Sequence, residues 1–97
     1  MHQTNLFKVI DMELTHIPTF VCRVKTRKDI EEYIGFFQGI GVLNLNEKSE
    51  FIVKKIDGTN TIADIVCAYE KEFPESSEYL KEVFEIISQF KEAQFLI

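Results

Sequence analysis

The sequence has little of what chemistry at a site requires. Its two cysteines, Cys22 and Cys67, stand far apart in different predicted elements, with no CxxC spacing and no neighbouring histidine. That pattern favours structural thiols over a metal or redox site. Both histidines, His2 and His16, fall in the N-terminal segment. No nucleophile is paired with a base, no glycine-rich loop is present to cradle a phosphate, and no carboxylate pair sits in a structured setting. An enzyme is therefore not expected, and no cofactor or metal is implied. No apolar run approaches the about 20 residues needed to cross a bilayer. Lys8, Asp11 and Glu13 interrupt any apolar region of a secretion signal, so the expectation is a cytoplasmic protein with no membrane partner. Positive charge is scarce too. Against 16 Asp and Glu, 11 Lys and Arg leave a net charge of −5, which repels a phosphate backbone and argues against nucleic acid.

What is present is one small core. Ninety-seven residues that are 45% hydrophobic and 28% charged suit a single globular domain. A chain of this size buries somewhat over about 60% of its unfolded surface, enough for modest stability without staples. The most informative stretch is Leu45 to Val66, LNEKSEFIVKKIDGTNTIADIV. Asn46 is placed to accept a hydrogen bond from the free N–H groups of a helix running from about Glu47 to Ile56. Ile52, Val53 and Ile56 give that helix one apolar face. Asp57-Gly58 stops it, because glycine takes positive φ at a helix C-terminus without a Cβ penalty. Thr61 opens the next helix, to about Phe73, with Asp64 completing a capping box. Ile62, Ile65, Val66, Tyr69 and Phe73 form its buried stripe. Two such short helices cannot bury themselves alone, so a further element must cover them.

Upstream, alternation predicts strands. After Pro18, Phe20, Cys22 and Val24 alternate with Val21, Arg23 and Lys25, as a half-buried antiparallel strand would. The polar run Thr26 to Asp29 is expected to turn the chain into a second strand at about Glu32 to Phe37, with Gly35 marking a bulge or a close backbone approach. Gln38-Gly39-Ile40-Gly41 makes the next turn, and Val42 to Leu45 the third strand. If Leu43 and Leu45 face the helices, Val42 and Asn44 face out. Residues 1–17 hold a partly alternating LFKVIDMEL, which suits an extra edge strand or a flexible arm.

The last helix is expected to be capped by Ser76 or Ser77 and to run to about Glu92. Its apolar residues, Tyr79, Leu80, Val83, Phe84, Ile86, Ile87 and Phe90, cover an arc of about 160°, wider than the roughly 100° a core-facing stripe needs. Tyr79, Val83, Ile86 and Phe90 lie toward one side, Leu80 and Phe84 mark the other edge, Ile87 lies between, and Lys91 flanks it. Either the helix buries both edges, or the Leu80/Phe84 edge lines a groove for an apolar peptide. Glu75, Glu78, Glu82, Glu85 and Glu92 read most simply as its solvated face. The resulting fold class is α+β and winged-helix-like, a three-stranded antiparallel sheet followed by three helices.

In order and spacing, Leu45-Asn46, Asp57-Gly58, Thr61, Ile65-Val66, then Val83, Ile87, Phe90 and the closing Phe95-Leu96 resemble the signature of the PqqD-like family. These peptide-binding domains, also called RiPP recognition elements, hold the leader of a ribosomally made precursor peptide. The match spans residues 18–97 and leaves 1–17 as an extension. The chain departs from the family at Ser49 and Glu50, where small apolar residues are usual, and at Gln94, where glycine is. The resemblance implies that the leader adds as a strand to the edge of the third strand and rests between it and the last helix. The matching positions are Val42, Leu43, Asn44 and Leu45, with Leu80, Phe84, Ile87 and the flanking Lys91. It also implies a separate modifying enzyme as partner, such as a radical SAM maturase or a leader peptidase. Met1 and the family-like ending at Ile97 favour a discrete protein over one domain of a larger maturase. The rival reading is a winged-helix DNA-binding regulator, but the helix Thr61 to Phe73 carries one lysine against Asp64, Glu70 and Glu72.

Overall fold

Among the described residues three antiparallel strands precede three helices, which makes the domain α+β. The structure, a computed structural model, describes residues 14–97. Most of the expected extension, residues 1–13, lies outside the described residues; of the rest, Leu14 packs against the helix core and the His16 carbonyl accepts from the Ile62 N–H at 2.9 Å. The strands are β1 (Val24–Lys28), β2 (Tyr33–Phe37) and β3 (Gly41–Leu45), in the order β1-β2-β3. The helices are α1 (Glu47–Lys55), α2 (Ile62–Glu72) and α3 (Tyr79–Glu92).

The first strand begins later and runs further than its alternation suggests. Thr26, Arg27 and Lys28 extend the ladder to Gly35, Ile34 and Tyr33 instead of turning the chain. Stacking explains how charged residues are held there. Arg27 lies 5.5 Å from the centroid of the Phe36 ring, and Lys28 5.5 Å from that of Tyr33. Phe20, expected inside this strand, instead bridges to Leu96 of the C-terminal tail. The Val21 N–H donates to the Phe95 carbonyl at 2.9 Å and the Ile97 N–H to that of Thr19 at 2.8 Å. Gly35 marks a close approach and not a bulge, since both pairings run through it in unbroken register. A Cβ there would stand 2.8 Å from Phe37 Cε1 and 3.1 Å from Leu45 Cδ1.

Capping fixes the helix ends. Asn46 Oδ1 accepts from the Ser49 N–H at 2.8 Å while the Asn46 N–H donates to Ser49 Oγ at 2.9 Å. Thr61 and Asp64 make the same reciprocal pair at 3.1 and 3.0 Å. Between them Gly58 takes φ 85°, and Asp57 accepts from the Thr59 hydroxyl and N–H, bonds that hold its carboxyl below the usual range. The third helix ends in a Schellman motif. The Phe95 N–H donates to the Phe90 carbonyl at 2.9 Å and the Gln94 N–H to the Lys91 carbonyl at 3.0 Å. Gln94 takes the left-handed φ of 65° that the motif needs. The Phe90 and Phe95 rings pack at 5.9 Å, the apolar contact that accompanies such a cap.

Neither Ser76 nor Ser77 caps α3; its N-cap is Glu78, which makes no side-chain cap bond. Ser76 is buried, and its Oγ donates to Glu82 Oε1 at 3.2 Å and accepts from Lys48 Nζ at 3.1 Å. Glu82 accepts further from the Tyr69 hydroxyl at 2.5 Å and from Lys48 at 3.2 Å, so it is the hub of a polar cluster joining all three helices and not part of a merely solvated face. Burial, then the Glu82 carboxylate at its hydroxyl, push the Tyr69 phenol well up. The Tyr69 hydroxyl, followed by Lys48 and Ser76, holds the Glu82 carboxyl low against the opposing effect of burial.

Two cores result. Ile52 and Ile56 of α1, Ile62, Ile65 and Tyr69 of α2, Phe73, and Val83 and Ile87 of α3 form the helix core. Phe37, Val53 and Phe90 form the sheet core, on which Leu43, Leu45 and Phe95 pack. Ile86, Phe20 and Leu96 pack on both.

Two outcomes follow from this packing. Gln94→Gly removes the left-handed penalty of a residue with a Cβ and should raise stability by about 1 kcal/mol, a Tm gain of about 4–8 °C for a domain of this size, read by thermal melting. A carboxyl held low stabilises the fold above its ordinary pKa of 4.5 and loses that contribution as pH falls. Glu82→Gln should therefore be less stable than the parent near neutral pH, and denaturant titrations should show the gap closing below about pH 4.5.

Candidate peptide-binding edge

Among the described residues the sheet has two free edges, and hydrogen bonds at the ends of the β1–β2 hairpin show which backbone groups lie on each. The Gln38 N–H donates to the Arg23 carbonyl at 3.0 Å, and the Asp29 N–H to the Glu32 carbonyl at 2.7 Å. Bonded and non-bonded pairs alternate along an antiparallel ladder. Lys25 and Arg27 thus exchange bonds with Phe36 and Ile34, their register partners. Tyr33, Gly35 and Phe37 turn the other way, toward Leu45, Leu43 and Gly41. What remains on the open edge of β3 is the N–H and C=O of Val42 and Asn44. On the open edge of β1 it is those of Val24, Thr26 and Lys28.

The two edges differ in charge. Arg23, Lys25, Arg27 and Lys28 crowd β1 and its entry, whereas β3, Gly41-Val42-Leu43-Asn44-Leu45, carries no charged side chain. Lysine and arginine on an edge strand are a common guard against pairing with another chain. β3 has no such guard.

Side chains alternate across β3. Leu43 and Leu45 are half-buried against the sheet core, while Val42, 60% exposed, and Asn44 face solvent. On α3, Ile87 is buried in the helix core, Phe84 is half-buried against it, Leu80 is 36% exposed in the first turn and Lys91 is exposed in the last. The structure therefore groups Leu43 and Leu45 with Phe90 and Ile86, on the flank of the apolar arc away from Leu80 and Phe84. Leu80 and Phe84, the helix positions expected to line a groove with β3, are not part of that group. The width of the arc signals two packing partners, but not which flank meets which.

A separate open cleft of 390 Å³ lies between β1 and the end of α1, lined among others by Phe20, Val24, Val53 and Ile56. It adjoins the guarded edge. Cys22 is half-buried, Cys67 is exposed, and among the described residues no three His, Cys, Asp or Glu side chains are grouped to hold a metal ion.

Compared with known proteins, the chain is 30% identical over 56 residues to a protein of Acinetobacter baylyi named PqqA binding protein. The match covers 58% of this chain and 57% of the relative, so the chain spans somewhat over half of that relative's length. No family model and no solved structure matches. Residue signature, order of elements and this relative together support a PqqD-like family for the chain.

Proposed function

We propose that this protein is a peptide chaperone that captures the leader of a ribosomally synthesised precursor peptide by strand addition to β3. It presents the rest of the peptide to a separate modifying enzyme, a radical SAM maturase or a leader peptidase. The observation that supports it is the open edge itself, with two residues' backbone donors and acceptors turned outward on a strand free of charge. Main-chain bonds to Val42 and Asn44 supply register and much of the affinity, and side chains at alternate leader positions supply specificity. Leu43 and Leu45, half-buried against the sheet core, form the inner floor of the site. The relative's name, PqqA binding protein, favours a peptide as the ligand. Holding the leader raises the effective concentration of the attached core at the enzyme, so no catalytic group is required of this chain.

Asn44→Pro deletes one outward donor and sets a ring against any added strand, while the ladder from β3 to β2 does not use that donor. The variant should melt within a few degrees of the parent. It should also bind the synthetic leader of a precursor peptide encoded beside its gene at least about tenfold more weakly, about 1.4 kcal/mol, by isothermal titration calorimetry. Unchanged affinity in a folded variant would rule out strand addition at β3.

A further inference from the structure

The residues that offer backbone bonds on the open edge are also those whose side chains face solvent. Val42 and Asn44 stand beside Phe36 and Ile34 of β2, their register partners. Residues opposite each other in a ladder share a face, with Cβ atoms about 4.5–5.5 Å apart. A peptide residue standing opposite Val42 must therefore point away from the helices, and its two sequence neighbours must point inward beside Gly41 and Leu43. On the solvent face Val42 is 60% exposed and Phe36 37% exposed. Together they form an apolar stripe closed at one end by the Arg27 guanidinium over Phe36 and running at the other to the open edge. A charged peptide side chain there would lose water against this stripe with no partner on β3. An apolar one would lengthen the stripe and remove Val42 from solvent. Asn44 offers an amide to a polar side chain two positions along.

We propose that Val42 is a specificity-determining residue on the solvent face of the sheet, requiring an apolar peptide side chain opposite it and a polar one opposite Asn44. The inference rests on the strand-addition reading, and adds that the peptide is selected on both faces of the sheet and not only where it meets the helices.

The probe is a phage-displayed library of random peptides selected on the intact chain, followed by a synthetic peptide of the resulting consensus. Peptides enriched by the parent should share an apolar residue at one position and a polar residue two positions away. Replacing that apolar residue with glutamate should weaken binding to the parent at least tenfold. Val42→Lys, at an exposed position that leaves the core untouched, should reverse the preference and favour the glutamate peptide. If parent and Val42→Lys discriminate between the two peptides equally, the solvent face does not select and the inference is overturned. Peptides whose binding is lost in Asn44→Pro but indifferent to Val42→Lys would overturn only this inference. If no peptide is enriched, or if Asn44→Pro enriches the same ones, the edge reading fails and the inference falls with it.

Discussion

Phe37 is the contact on which the remaining architecture depends. It sits on the central strand, 2% exposed, and its ring meets Phe20 at 5.5 Å, Phe90 at 5.9 Å and Phe95 at 4.9 Å. These three partners come from the segment before β1, from α3 and from the C-terminal tail. One side chain thereby joins sheet, helix and both flanking segments through aromatic contacts. The Schellman turn at Gln94 makes this possible by sending Phe95 and Leu96 back to pair beside Phe20. Gly35, with no room for a Cβ beside the Phe37 ring, belongs to the same constraint.

That arrangement has a consequence for the edges. The tail docks beside the segment leading into β1, and β1 itself is lined with arginine and lysine. On the far side of the sheet β3 carries no charge and, among the described residues, receives no covering segment. An open, uncharged edge is an aggregation hazard unless something pairs with it. Its short length, five residues, limits the hazard and still leaves two residues' worth of main-chain bonds for a partner.

Much of the fold was legible in the sequence because local chemistry determines it. Asn46, Thr61 with Asp64, and Gly58 mark helix ends through bonds and dihedrals that span only a few residues, and each appears in the structure as expected. The period-two pattern of β3 set Leu43 and Leu45 on one face and Val42 and Asn44 on the other, and the structure shows that the leucines are the inward pair. Contacts made far along the chain were not legible. Alternation at Phe20 to Lys25 cannot reveal that Phe20 belongs with Leu96, or that Arg27 and Lys28 are held in the strand by aromatic rings across the ladder. Ser76 has the composition of a helix cap, yet Lys48 and Glu82 recruit it from elsewhere. On α3, periodicity showed the width of the apolar arc but not its division, because an arc facing two cores gives no sign of which flank meets the sheet core.

Amide hydrogen exchange resolved by residue, with and without the cognate leader, tests the open edge most directly. Outward-facing amides exchange quickly in the free protein and slow once a strand pairs with them. New protection at Val42 and Asn44, with Val24, Thr26 and Lys28 unchanged, is the expected result. Protection that appears on β1, or leader binding that leaves the Val42 and Asn44 amides as open as before, would contradict strand addition at β3.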